Sequence, residues 1–235
     1  MDVRNLLVPH RYRGPKDSAN GGYICGLVAQ EFEEAVEVTL RAPPPLDTSL
    51  ALNRNGLEGE LHAGDALVAT VRAGDASTDV PAAPTLSEAE AASRRYEGAT
   101  NHALPECFVC GPHREAGDGL RIFPGPTSLG SLVACAWTPA QEFADESNKV
   151  RPEVIWAALD CPGYFGLRRP GVLALLGRMT ARVIRSPVPE EPCIVTGWHL
   201  ETDGRKSLAG AALFAADGEL LANSKTTWIE IAKPK

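Results

Sequence analysis

The segment RPEVIWAALD, residues 151–160, is an apolar run that follows a polar loop, and NGGYICGLVA, residues 20–29, repeats this pattern near the start of the chain. Val154, Ile155 and Leu159 have the spacing that buries one face of a helix. Two segments of this kind in one sequence predict two copies of a single structural unit.

Two further pairs of matching segments follow in the same order. Arg41-Ala-Pro-Pro-Pro45 and Arg185-Ser-Pro-Val-Pro189 each come directly after an alternating strand. Asp65 and Asp217 each lie in a turn before an apolar strand. We therefore interpret the chain as an internal duplication whose second copy has the longer loops.

A polar segment separates the two copies. Residues 79–104 begin with proline and alanine and continue as a helix, for which Ser87 is the expected N-cap. The sequence thus predicts an N-terminal copy over residues 1–78, a linker over 79–104 and a C-terminal copy over 105–235.

The second copy carries five strand patterns, at residues 130–137, 177–184, 193–200, 206–214 and 219–231. Asp203-Gly204 and Asp217-Gly218 are expected to form the tight turns between the last three strands. The 22 glycines and 19 prolines of the chain also favour many short strands. Strands grouped around one helix predict an α+β fold, with the helix packed on an antiparallel sheet.

The charge balance excludes some classes of function. Lys and Arg number 23 against 30 Asp and Glu, a formal net charge of −7, so the positive surface of a nucleic-acid-binding protein is not expected. No apolar stretch approaches the roughly 18 residues of a membrane helix, and the N-terminus is charged where a signal peptide is apolar. We expect a soluble cytoplasmic protein without a nucleic-acid or membrane partner.

Two motifs carry a resemblance to a known family. Cys107-Phe-Val-Cys110-Gly111, followed by Gly119-Leu-Arg-Ile122, resembles the Cys-Phe-Gly-Cys-Gly and Gly-Leu opening of many hot-dog fold thioesterases. Segment 151–160 resembles the His-Gly-Gly helix start of that family, with Asp160 at its acidic position. Asn20-Gly21-Gly22 resembles the same helix start, with Asn in place of His. The resemblance covers nearly the whole chain and implies a double hot-dog, two antiparallel sheets each wrapped around a central helix.

The two copies differ at the positions that the resemblance makes important. The first copy keeps Gly21-Gly22 but has Ala29 and Gln30 where the acid is expected, and the second keeps Asp160 but has Pro152-Glu153 in place of the glycines. Because hot-dog sites form between paired copies, one composite site would combine the first helix start with Asp160. The opposite site would be degenerate.

The chemistry of thioester hydrolysis assigns expected roles in the composite site. Asp160 would be the base or nucleophile, because a carboxylate can activate water or attack a carbonyl directly. The backbone amides of Gly21, Gly22 and Tyr23 would polarise the carbonyl at the helix N-terminus, and Asn20 would help to hold the thioester.

Other readings of these residues stay open. Asp160 could instead cap the turn at residues 161–163, and Asn20 could simply cap its helix. Asp17 occupies a position where another hot-dog branch has its catalytic acid, yet Asp17-Ser18 also suits a helix cap. Arg151 and Trp156 are further candidates for substrate binding.

A metal site is not expected from the sequence. His102, Cys107, Cys110 and His113 are ligand types that zinc prefers, but a structural zinc site usually brings its second ligand pair from farther along the chain. Cys161 is expected to be a small buried hydrophobe, since no histidine pattern orients it as a nucleophile. We expect no metal and no cofactor.

The leading prediction is therefore an acyl-thioester hydrolase acting on acyl-CoA or a carrier-bound acyl chain. A hot-dog dehydratase or hydratase would need a histidine beside the acid, and no motif places His10, His62 or His199 there. A non-catalytic acyl-thioester binding protein is the third possibility. Open sheet edges and the habits of the fold favour a homodimer.

Overall fold

The structure is a computed structural model that describes residues 2–169 and 171–231. Eleven strands lie within these residues: β1 (Asp2–Leu6), β2 (Val36–Leu40), β3 (Leu50–Asn55), β4 (Glu58–Ala63), β5 (Ala66–Ala73), β6 (Gly125–Pro126), β7 (Val133–Trp137), β8 (Ala174–Val183), β9 (Cys193–Asp203), β10 (Lys206–Ala215) and β11 (Leu220–Glu230). The α-helices are α1 (Gly21–Ala29), α2 (Leu86–Ser93), α3 (Pro152–Ala158) and α4 (Cys161–Gly166). Short 3₁₀ turns occur at His10–Tyr12, Glu97–Ala99 and Gln141–Phe143.

All the strands belong to one antiparallel sheet that consists of two equivalent halves. The first half has the order β1-β3-β4-β5-β2, and the second has the matching order β7-β9-β10-β11-β8, with β6 added beyond β7. The halves join where β2 pairs with β8, at Val38 opposite Met179. Since α1 precedes β2 and α3 precedes β8, the element order is duplicated as well, and the predicted duplication is confirmed.

Helices α1 and α3 pack directly against each other at the centre of the molecule. A Cβ added at Gly26 would lie 2.6 Å from the Trp156 Cβ and 2.8 Å from the Glu153 Cα. A helix face without side chains is therefore needed for the two backbones to approach so closely. The predicted apolar face of α3 is confirmed, because Val154, Ile155 and the residues beside them are fully buried.

The remaining predicted boundaries are close to the observed ones. Strand β7 begins at Val133 rather than at Gly130, because Gly130 adopts a positive φ of 70° in the preceding turn. Strand β9 extends to Asp203, so the following turn begins at Gly204. No helix in the described residues is long and apolar enough to span a membrane.

The N-cap predicted for the linker helix is wrong. Helix α2 begins at Leu86, and Thr85 is its N-cap: the Thr85 side chain accepts from the Glu88 amide while the Glu88 carboxylate accepts from the Thr85 amide. Ser87 lies within the first turn and is exposed. The reciprocal pair with an acid three residues later makes Thr85 the better cap.

This capping box gives a stability prediction with a matched control. Thr85→Ala is expected to lower the free energy of unfolding by about 1 kcal/mol, because it leaves N-terminal amides of α2 without an acceptor. Ser87→Ala should change it little. Urea denaturation of both variants measures the difference, and equal losses in the two would contradict the assignment.

Candidate active site

Asp160 lies between α3 and α4 and is almost completely buried, with an exposed fraction of 2%. Helix α3 ends at Ala158, before Pro162, as a proline there leads one to expect. A second helix, α4, begins at Cys161 and has Pro162 in its first turn, where the missing N–H of proline costs no helical hydrogen bond. The break turns the Asp160 side chain toward the first copy.

The Asp160 carboxylate binds the start of α1. Its Oδ2 accepts hydrogen bonds from Asn20 Nδ2 at 2.8 Å and from the Gly22 amide at 3.0 Å. Asp160 occupies the N-cap position of α4, but its side chain makes no capping hydrogen bond there. The alternative that Asp160 caps the turn at residues 161–163 is therefore wrong, and the geometry brings the two halves of the expected composite site together.

The second carboxylate oxygen of Asp160 is not used in these hydrogen bonds. Asp160 Oδ1 is buried and has no hydrogen-bond partner in the part of the chain that the structure describes. Burial raises the pKa of Asp160 to about 7, although the hydrogen bonds from Gly22 and Asn20 act in the opposite direction. An unpaired buried carboxylate oxygen is costly, so this atom is available to water or to a ligand.

Asn20 has two roles at the start of α1. Its Oδ1 accepts from the Tyr23 amide at 2.9 Å, which caps the helix, and its Nδ2 donates to Asp160. With the Tyr23 amide bound to Asn20 and the Gly22 amide bound to Asp160, two of the three backbone amides expected to polarise a carbonyl are occupied. Only the Gly21 N–H has no acceptor within residues 2–169 and 171–231. This corrects the prediction that the Gly22 and Tyr23 amides, together with Gly21, polarise the substrate carbonyl.

A cavity of about 410 Å³ opens beside this group. Asn20, Gly21 and Asp160 are among the residues that line it. Both copies and the linker supply the rest of its lining, which is mostly apolar and includes Leu40, Pro44, Leu104, Phe165, Leu176 and Ile229. The segment after β2 was visible in the sequence as a repeat, but nothing in it indicated a cavity wall.

Five of the sequence-predicted residues are not part of the cavity lining: Gly22, whose amide binds Asp160, and four residues whose side chains lie elsewhere. Asp17 is exposed on the loop before α1. Trp156 packs in the contact between α1 and α3, next to Gly26. The Tyr23 ring stacks on Tyr12 with their centroids 4.0 Å apart. The fourth, Arg151, contacts the Tyr12 hydroxyl and the Glu153 carboxylate. We assign none of these four side chains a role in substrate binding.

The start of α3 is the counterpart of the start of α1, and Gln30 is the counterpart of Asp160. Protein side chains fill this second location. Gln30 Nε2 donates to Glu153 Oε2 at 2.9 Å, which parallels the contact of Asp160 with the start of α1. Arg151 lies 3.1 Å from the same carboxylate, and the stacked rings of Tyr12 and Tyr23 lie alongside. The Glu153 carboxylate is paired here with Gln30 and Arg151, whereas Asp160 keeps one oxygen without a hydrogen-bond partner among the described residues.

Comparison with known proteins identifies the fold. No protein-family model matches the chain, and no curated protein matches it. Among solved structures, the tesB protein of Mycobacterium avium subsp. paratuberculosis superposes with a TM-score of 0.63 at 13% identity, covering 98% of this chain and 93% of that one. Acyl-CoA thioesterase II TesB2 from Mycobacterium marinum gives a TM-score of 0.60 at 9% identity, covering 97% and 93%. Structures of this type are double hot-dogs.

The chain has the double hot-dog fold. The predicted α+β class and the predicted double hot-dog are confirmed, and the sheets of the two copies join through β2 and β8 into one continuous sheet. In this double hot-dog, α1 and α3 are the two central helices, and the candidate site lies at their junction.

Proposed function

We propose that this double hot-dog hydrolyses acyl thioesters, with acyl-CoA or a carrier-bound acyl chain as substrate. One observation carries the proposal: in the wall of a mostly apolar cavity, a buried carboxylate with a free oxygen adjoins a helix N-terminus with a free amide. The names of the structural neighbours, which are thioesterases, agree with this activity.

The geometry suggests how the chain divides the chemistry between its two copies. The thioester carbonyl oxygen would accept a hydrogen bond from the Gly21 N–H, at the positive end of the α1 dipole, where developing negative charge is stabilised. Asn20 and Gly22 hold one oxygen of Asp160, which leaves Oδ1 free to take a proton from an attacking water.

The hydrolytic step then balances without a further reactant. Water attacks the carbonyl carbon and gives a proton to Asp160, and the carbon–sulfur bond breaks as the tetrahedral intermediate collapses. The departing sulfur takes up the proton that Asp160 accepted, which restores the carboxylate, and the products are a carboxylic acid and a free thiol. Because the helix start and the acid belong to one chain, the site would be complete without the predicted homodimer.

The test is release of free thiol from a panel of acyl-CoAs, short, long and aromatic, and from acyl-phosphopantetheine. We expect turnover that depends on acyl length, since the acyl group would occupy the apolar cavity. Saturable binding of every substrate without turnover would support the alternative of an acyl-thioester binding protein. If the chain neither turns over nor binds any of these substrates, both the hydrolase proposal and the binding-protein alternative are contradicted.

The geometry does not favour a dehydratase or hydratase. Such an enzyme needs a histidine beside its acid. His102 lines the cavity, but its ring nitrogens contact the Leu104 amide and the Cys110 sulfur rather than Asp160. His10, His62 and His199 do not line the cavity. Their side chains instead contact Arg13, Glu60 and Thr202, respectively.

The dual role of Asn20 gives a prediction that separates capping from catalysis. Asn20→Ser keeps an N-cap oxygen but removes the amide that donates to Asp160, so we expect a stable fold with kcat reduced roughly 10-fold or more. Asn20→Ala should lose about 1 kcal/mol of stability in addition. Thiol-release kinetics and urea denaturation measure the two effects, and a serine variant with full activity would show that the Asn20–Asp160 bond is dispensable.

A further inference from the structure

Three buried cysteines converge at the wall of the same cavity. The Cys110 and Cys161 sulfurs lie 3.1 Å apart, the Cys107 and Cys161 sulfurs lie 3.8 Å apart, and all three lie within 4.8 Å of one another. In a tetrahedral zinc site with Zn–S bonds of about 2.3 Å, neighbouring sulfurs are about 3.8 Å apart. The three thiols are therefore already spaced nearly as zinc ligands are.

We propose that Cys107, Cys110 and Cys161 bind a zinc ion as thiolates, with the fourth coordination position facing the cavity. This inference does not rest on the proposed hydrolase activity. Zinc is one of the metals that soft thiolate ligands select, and binding would release thiol protons to solvent.

The ligands come from two separate parts of the fold, as in a structural zinc site. Cys107 and Cys110 lie in one tight turn, closed by a hydrogen bond of 2.9 Å from the Gly111 amide to the Cys107 carbonyl. Cys161 is the first residue of α4. A metal here would join the segment after the linker to the break between the helices.

His102 supports the cluster as a hydrogen-bond donor. Its Nδ1 accepts from the Leu104 amide at 2.9 Å, so the ring proton of the neutral imidazole lies on Nε2, which is 3.3 Å from the Cys110 sulfur. A protonated nitrogen cannot ligate a metal, but it can donate to a metal-bound thiolate. Together with Asn20 Nδ2, which lies 4.0 Å from the Cys107 sulfur, it would offset the excess negative charge of three thiolates.

The fourth position is assigned to the cavity because all three cysteines line it. A zinc ion with three protein ligands keeps one position for water or another small ligand. The sequence prediction of no metal considered His113 as the last ligand. His113 is exposed, and Cys161 takes its place in the cluster.

The test uses the full-length, untagged chain, reduced and stripped of metal. After addition of zinc sulfate and dialysis, we expect one zinc per chain by elemental analysis, and X-ray absorption showing three sulfurs and one lighter ligand. Cys161→Ser and Cys107→Ser should lose this zinc, whereas Cys135→Ser and Cys193→Ser, which alter buried cysteines outside the cluster, should retain it. Circular dichroism establishes that each variant is folded.

Two further measurements address the surroundings of the ion. His102→Ala should weaken zinc affinity roughly 10- to 100-fold without abolishing binding. In the cobalt-substituted protein, added 2-mercaptoethanol should shift the visible bands, because the fourth position is open. An unshifted spectrum would contradict an open position. A reduced wild-type chain that binds no zinc, or zinc retained in folded Cys161→Ser, would overturn the proposal whatever the thioesterase assay shows.

Discussion

Asp160→Asn is expected to lower kcat/KM for thioester hydrolysis by about 10²-fold or more. The asparagine has nearly the same shape and can still accept a hydrogen bond from the Gly22 amide. It cannot take a proton from the attacking water, and that is the role assigned to the free carboxylate oxygen. Thiol-release kinetics on the best acyl-CoA of the panel give the ratio.

The mirrored position supplies the control for this variant. Gln30 makes the corresponding contact with Glu153 in the location that protein side chains fill. Gln30→Ala should leave kcat/KM unchanged while lowering stability slightly. Activity that survives in Asp160→Asn, or falls equally in Gln30→Ala, would mean that the composite site is not where the reaction occurs.

Gly26→Val is expected to cause the largest loss of stability, about 3 kcal/mol. A side chain at this position would meet the Trp156 Cβ at 2.6 Å and the Glu153 Cα at 2.8 Å, and the Glu153 backbone can move only if α1 and α3 separate. For a chain of this size, such a loss corresponds to a fall in Tm of roughly 6–12 °C. Urea and thermal denaturation both measure it.

Gly21→Ala is the matched comparison within the same helix. A Cβ there would lie 2.8 Å from Leu176 Cδ2, which can rotate away, and 2.9 Å from Leu176 Cβ, which moves only with strand β8. We expect a stability loss of about 1 kcal/mol, smaller than for Gly26→Val, because alanine adds a single methyl group and no helix–helix contact has to open. Equal losses of stability in the two variants would show that the close approach of α1 and α3 does not depend on Gly26.

The sequence was sufficient to predict the duplicated fold because its signals are local and occur twice. The apolar segments became α1 and α3, and the matching prolines follow β2 and β8 in equivalent halves of the sheet. Helix boundaries were less predictable where two neighbouring polar residues can each serve as the N-cap. Thr85 is the N-cap rather than Ser87 because Glu88 completes a reciprocal pair with it.

The site was predicted only where the copies could be compared directly. The first copy has Gly22 where the second copy has Glu153, and this difference pointed to one composite site. The structure places the Gly22 amide 3.0 Å from Asp160. Arg151 and Trp156 were misleading because a residue's position on a helix does not reveal which neighbour it faces. The convergence of Cys161 with Cys107 depends on tertiary folding, which the spacing of cysteines in the sequence does not show.

The most direct test of the central claim is a crystal structure of Asp160→Asn with an acyl-CoA bound. The account predicts one thioester per chain, its carbonyl oxygen about 3 Å from the Gly21 amide nitrogen and its acyl group in the cavity. A thioester bound at the start of α3, beside Arg151 and Glu153, or outside the cavity altogether, would contradict it.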